Sequence, residues 1–142
     1  MSSQREVILA HLKTVLDGVG GATAYRSREA PATRAEGPVL VIVPEEESVQ
    51  RLGSGPGLVL RSLTVVLRVV TRGAVPDQVA DPVLVAAHAV MMADNTLGGR
   101  AALVQEESTR FDFEIADQTA LASELRYEIR YHTLAASLTA QA

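Results

Sequence analysis

The stretch TRFDFEIADQTALASELRYEIRYHT, residues 109–133, alternates apolar and polar side chains on both sides of a short polar segment. Such alternation predicts two β-strands, each with one apolar and one polar face. The segment DQT at residues 117–119 separates them as a turn. We therefore predict an antiparallel hairpin that closes the chain at its C-terminal end.

Charge indicates the register of this hairpin. We pair Phe111 with Tyr127. Arg110 then lies opposite Glu128, whereas a shift of two residues in either direction places Arg110 opposite another arginine. Because like charges directly opposite each other destabilise a sheet, the first register is the one we expect.

The rest of the chain predicts two helices and three more strands. Helical spacing of apolar residues indicates a helix at residues 3–17, and a second one that begins at a cap on Asp77 or Asp81 and ends near Asp94. A continuous β-branched run indicates a buried strand at 39–43, and alternation indicates a long strand at 58–72. We also expect a short strand at 22–27. We predict a single α+β domain spanning residues 1–142, with a mixed, mainly antiparallel sheet packed against two helices.

Composition limits the classes of function. The chain has 142 residues, a formal net charge of −4 and no cysteine. The negative charge argues against nucleic-acid binding, and the lack of cysteine excludes disulfides, thiolate metal sites and cysteine nucleophiles. The first residues mix charges into their apolar pattern, and no apolar run approaches the roughly 18 residues that cross a bilayer. We expect a cytosolic protein with no membrane partner.

Residues that could carry chemistry do not form a recognisable motif. His11, His88 and His132 lack the short spacing of zinc ligands. The GSG at residues 53–55 lacks the spacing and the strand-to-helix context of a nucleophile elbow. We expect no catalytic residue, no metal and no cofactor. The alternative is a small α/β enzyme or ligand-binding domain, which would need a pocket with perturbed carboxylates or histidines.

Ordered charges on the polar faces of the strands admit two interpretations. They are either ordinary solvent-exposed faces or surfaces matched electrostatically to neighbouring subunits. The residues concerned are Arg61 with Thr71 or Arg68 with Arg72 on the long strand, and Glu124, Arg126, Glu128 and Arg130 on the last strand.

Several segments resemble one family of phage proteins. REVILA at residues 5–10, PVLV at 38–41 and VPD at 75–77 follow the order of elements in that family. The closing segments RFDFE at 110–114 and LRYEIRY at 125–131 are more specific. Over nearly the whole chain, these patterns resemble the tail terminator proteins of long-tailed bacteriophages, the minor tail protein U family.

The resemblance implies a structural role without catalytic residues. Proteins of this family form a ring, typically hexameric, that caps the growing tail tube, stops its polymerisation and presents a surface for the head–tail connector. The implied partners are further copies of the chain, the tail tube protein and the connector. The implied location is the head-proximal end of the tail, after assembly in the host cytoplasm. The long loop at residues 28–38 and the extra Pro82 depart from the family pattern.

Charged residues that folding leaves unexplained are our candidates for contacts with the tube, the connector or the next subunit. We interpret the segment that carries the arginines as an exposed loop, and the glutamate run as a solvated loop or the start of a helix. The candidate contact residues are Arg26, Arg28, Arg34, Glu45, Glu46 and Glu47. A head-closure or neck adaptor protein is the nearest alternative, and a subunit of a cellular assembly related to phage tails is another.

Overall fold

The computed structural model describes residues 2–27, 37–53, 57–115 and 119–139, without the side chains of residues 114 and 115. The elements in chain order are α1 (Gln4–Leu16), β1 (Thr23–Arg26), β2 (Val39–Arg51), β3 (Leu58–Arg72), α2 (Pro76–Ala93), β4 (Leu103–Ile115) and β5 (Thr119–Leu134). The strands form one sheet in the order β1-β2-β3-β5-β4. Only β1 and β2 are parallel among these pairs. The predicted α+β fold, with its mixed, mainly antiparallel sheet, is confirmed.

Helix α1 begins where the sequence predicts it. Ser3 is the N-cap, and its side-chain oxygen accepts a hydrogen bond of 3.1 Å from the backbone N–H of Glu6. This bond satisfies one of the N–H groups that have no partner within the first turn. Ile8, Leu12 and Leu16 then follow at helical spacing and are buried against the sheet.

Helix α2 begins earlier than predicted, and the expected aspartate cap is wrong. The N-cap is Val75, which makes no side-chain capping bond, and Pro76 occupies the first turn. Proline suits this place because its missing N–H would have no helical partner there. Asp77 lies in the first turn, where it complements the helix dipole. Pro82 therefore lies inside the helix rather than in its first turn.

Strand β2 is much longer than the predicted residues 39–43. It continues through the acidic run to Arg51 because the long antiparallel strand β3 supplies hydrogen-bonding partners along its whole length. The register shifts between Pro44 and Glu46, which makes Glu45 the extra residue of a bulge. A bulge beside a proline is expected, since proline has no N–H to donate to the ladder.

The closing hairpin is present, but the predicted register is wrong. Phe111 lies opposite Ser123 rather than Tyr127, a shift of four residues. Arg110 consequently lies opposite Glu124, which is again an unlike pair, so charge alone does not separate the two registers. An even shift leaves each side chain on the face predicted for it.

Both helices pack on one face of the sheet, where odd-numbered positions of β3 and β5 point. The core combines Ile8, Leu12, Leu16, Leu63, Leu67, Val83, Ala87, Met91, Leu125 and Tyr127. Helix α1 contacts β1 and α2, whereas α2 contacts chiefly β3 and β5. The helical layer therefore covers the sheet as far as β5 and leaves most of the edge strand β4 uncovered.

Candidate interaction surfaces

The face of the sheet opposite the helices carries charged residues that largely pair with each other. Arg126 on β5 donates two hydrogen bonds to Glu45 on β2, of 2.7 and 3.1 Å, across the intervening strand β3. Arg68 pairs with Glu124 at 3.3 Å. Such exposed pairs contribute about 0–1 kcal/mol each. The side chains are thus held in place within one molecule, and this face is not simply a row of unpaired charges.

The acidic run does not form the solvated loop or helix start that the sequence suggested. Glu45, Glu46 and Glu47 lie on strand β2, and the bulge sends them in different directions. Glu45 reaches Arg126. Glu46 stays exposed beside a depression of about 200 Å³ on the charged face. Glu47 turns to the helix side, where only 11% of its side chain is exposed.

Glu47 is the centre of a buried polar cluster, which comprises Glu47, Arg5, Arg61, Tyr131 and Thr133. Its carboxylate accepts hydrogen bonds from Arg5 at 2.7 Å, from Arg61 at 3.4 Å and from the hydroxyl of Tyr131. Arg61 also donates to the Thr133 hydroxyl at 2.8 Å. The cluster joins α1 to β2, β3 and β5, so it stabilises the fold rather than offering a contact surface.

This cluster also corrects the interpretation of the long strand. Arg61 and Thr71 do not form a solvent-exposed face, because both are buried on the helix side. Thr71 donates its hydroxyl hydrogen bond to the carbonyl of Pro76 at 2.8 Å and so anchors the start of α2. The pKa of Tyr131 is raised chiefly by burial, and the hydrogen bond to Glu47 raises it further. Tyr131 is therefore a neutral hydrogen-bond donor at physiological pH.

Of the three arginines that the sequence predicts as contact residues, only Arg26 lies among the described residues. Arg26 lies on β1 and binds Glu6 with two hydrogen bonds of 2.6 and 3.1 Å. This pair attaches the edge strand to α1. Arg28 and Arg34 lie outside the described residues.

The Arg26–Glu6 pair leads to a testable pH dependence. The Arg26 hydrogen bond lowers the pKa of Glu6 below the ordinary value of a glutamate. A depressed carboxyl pKa stabilises the protein above the unfolded-state pKa, and that stabilisation disappears as the pH falls through the folded-state pKa. We expect Arg26→Gln to lower the free energy of unfolding by about 0.2–1 kcal/mol at pH 7.

That difference from wild type should shrink as the pH falls below about 4, which urea unfolding at a series of pH values measures. The matched control is Arg51→Gln, at an exposed position on β2 opposite the uncharged Val59. A loss that stayed constant from pH 7 to pH 3 would contradict the pairing.

His88 is part of a second polar contact, at the helix-facing side of β4. Its Nδ1 lies 2.7 Å from the Tyr127 hydroxyl and 3.0 Å from a carboxylate oxygen of Glu106. The His88 and Tyr127 rings stack with centroids 5.9 Å apart. Burial raises the pKa of Tyr127. His88 is thus hydrogen-bonded and stacked on Tyr127, although 42% of its side chain is exposed.

Strand β4 carries a surface that the sequence did not indicate. Phe111 and Phe113, the only two phenylalanines of the chain, are 53% and 55% exposed. Both lie on the helix side of the sheet, opposite Ser123 and Leu121, but α2 does not extend over them. Alternation shows which side a residue faces, but it cannot show whether anything covers that side. We call these two residues the aromatic edge.

Neither a group of metal ligands nor a membrane-spanning helix occurs in the part of the chain that the structure describes. No group of three or more histidine, aspartate or glutamate side chains among these residues is placed to hold a metal ion. No helix within them is long and apolar enough to cross a membrane. No protein-family model and no curated protein matches the chain.

Proposed function

We propose that this chain is the subunit of a ring that caps the head-proximal end of a phage tail tube, terminates its polymerisation and provides the surface for head–tail joining. The observation that carries self-assembly is the aromatic edge on a strand with no outer neighbour among the described residues. Large exposed apolar side chains on a free sheet edge are typical of interaction sites. The resemblance of residues 110–114 and 125–131 to tail terminators supplies the identity of the assembly.

The mechanism is steric. A ring bound to the last layer of the tube covers the surface on which the next tube subunit would add. A heterologous interface that closes on itself gives such a ring. The opposite face of the ring is then free to bind the head–tail connector.

The buried polar groups support a structural role. Tyr127 and Tyr131 have raised pKa values because they are buried, so their hydroxyls stay protonated. Protonated tyrosines bound to His88 and Glu47 orient the core, and they are poor nucleophiles. The proposal accordingly assigns no catalytic residue, metal or cofactor.

Charged residues that are not used in folding remain the candidates for contact with the tube or the connector. Arg26, Glu45 and Glu47 each have a partner within the chain. Glu46 is exposed, and Arg28 and Arg34 belong to a segment that departs from the family pattern. These three residues therefore retain the role proposed from the sequence.

Sedimentation with preformed tubes tests this function. The purified chain is mixed with tubes of the tail tube protein from the same phage, and separately with the connector protein. We expect it to sediment with the tubes, and R28E combined with R34E to weaken that binding about tenfold or more, as loss of contacts at a charged interface does. The matched control is Arg51→Glu, at an exposed position on β2.

Binding to the connector in the absence of binding to tubes would contradict the terminator and identify a neck adaptor. Binding to neither would overturn the proposal. Unchanged tube binding by the double charge reversal would remove Arg28 and Arg34 from the contact surface.

A further inference from the structure

The aromatic edge is bordered by acidic side chains on the side of α2. Asp77 and Asp81 follow the same stripe of α2 as His88, which contacts Glu106 on β4. Arg110 and Asp112 alternate with the phenylalanines on β4 and point to the opposite face of the sheet. Among the described residues, Asp77 and Asp81 have no salt-bridge partner. The flank formed by β4 and α2 is thus apolar on β4 and acidic along α2.

The outer surface of α1 has the complementary character. A trough of about 640 Å³ runs along it, with Glu6, Val7, Ala10, His11 and Thr14 on the helix and Arg100 at its side. Within the described parts of the chain, Arg100 has no carboxylate at salt-bridge distance and donates only to the carbonyl of Leu97 at 3.1 Å. The acidic residues on this side of α1 are neutralised, since Glu6 pairs with Arg26 and Asp17 with Lys13. The unpaired charge beside the trough on α1 is therefore the positive charge of Arg100.

These two surfaces lie towards different edges of the sheet. The aromatic edge is on β4, at one end of the strand order, and α1 packs beside β1, at the other end. A symmetric pairing of two β4 edges would bring the acidic side chains of both copies together, which costs free energy. A head-to-tail contact instead brings unpaired acids towards Arg100.

We infer that Phe111 and Phe113 of one copy dock into the α1 trough, lined by Val7, Ala10, Thr14 and Arg100, of a second copy of this chain. The inference rests on the proposed ring and names its interface. Since each copy has one aromatic edge and one trough, the contact is heterologous and repeats until the ring closes. Burying the two phenylalanine side chains supplies the main driving force, and the charges around them set the orientation.

Disulfide trapping tests this contact directly, because the chain has no cysteine of its own. Phe113→Cys and Ala10→Cys are made in separate chains and mixed under mild oxidation. We expect a disulfide-linked dimer that contains one of each chain. The variant carrying both substitutions should give a ladder of higher oligomers. Val49→Cys, which is 54% exposed on β2, replaces Phe113→Cys in the control mixture and should give little product.

A different pattern of products would overturn the inference. Preferential linkage of Phe113→Cys to itself would indicate symmetric pairing of the β4 edges. Linkage no greater than in the Val49→Cys mixture would show that the two surfaces do not meet.

A second variant separates contact from folding. Phe111→Thr combined with Phe113→Thr keeps strand-forming residues on an exposed edge. We expect cooperative unfolding close to that of wild type, together with self-association weakened about tenfold or more. Self-association at wild-type strength would overturn the inference.

Failure of the interface and failure of the proposed function give different results. If the cross-linked ladder forms but the chain does not bind tail tubes, the inferred interface is supported and the proposed function is contradicted. If the chain binds tubes and neither the ladder nor the threonine variant behaves as expected, the function stands and the interface lies elsewhere.

Discussion

Replacing Glu47 with alanine is expected to lower the free energy of unfolding by about 3 kcal/mol at pH 7. The carboxylate accepts hydrogen bonds from Arg5, Arg61 and the Tyr131 hydroxyl. Only 10% of the Arg61 side chain is exposed, so its charge would remain buried and lose its carboxylate partner. Small domains have about 5–15 kcal/mol of stability in total, so this loss is large. Chemical denaturation measures it.

The acidic run contains its own control. Glu46 is the next residue on the same strand but is exposed on the opposite face of the sheet. Glu46→Ala should change the free energy of unfolding by no more than about 0.5 kcal/mol. Similar losses for the two variants would contradict the assignment of Glu47 to a buried cluster.

Replacing both members of the buried Glu47–Arg61 pair tests whether the stability lost in Glu47→Ala comes from leaving Arg61 unpaired. In Glu47→Met combined with Arg61→Leu, both buried charges are removed together. Exchange of a buried ion pair for apolar residues is often close to neutral. The double variant should therefore be more stable than Glu47→Ala alone.

The side of the sheet to which each strand residue points could be predicted from the sequence, because successive side chains of a strand point to opposite faces. Strand β3 has the bounds that the sequence predicts, and its odd-numbered apolar positions are buried. The same alternation explains why the hairpin was recognised although its register was wrong. Arg110 meets a glutamate either at Glu128 or at Glu124, and alternation carries no further information.

The polar contacts could not be predicted, because they depend on neighbours that are distant in sequence. Glu47 resembles a solvent-exposed residue in a run of three glutamates, yet its partners come from α1, β3 and β5. The bulge at Glu45 decides which glutamate turns inward, and Pro44 is its only local signal. Glu45 itself binds Arg126, which lies 81 positions further along the chain.

The exposure of the aromatic edge could not be predicted from the sequence for a related reason. Phe111 and Phe113 alternate with polar residues, as the core positions of β5 do. Their exposure follows from the sheet order, which places β4 outside β5, and from the extent of α2. Sheet order is a property of the whole fold. Alternation therefore places these two residues on the apolar face of the hairpin, but it cannot show that this face is uncovered.

The central claim, that the chain ends tube growth, predicts an arrest that is large and specific to one tube end. Tail tube protein is allowed to polymerise, and the chain is added at an amount far below that of the tube protein. A cap acts only at tube ends, so few rings should stop all further elongation at the capped end. The aromatic-edge variant, Phe111→Thr with Phe113→Thr, should arrest growth much less, because its subunits associate weakly.

Tube lengths measured by negative-stain electron microscopy as a function of time give the most direct test. Our account predicts that lengths stop increasing after the chain is added and that a ring is visible at one end of each tube. Tubes that continue to lengthen at the rate seen without the chain, with both ends bare, would contradict it.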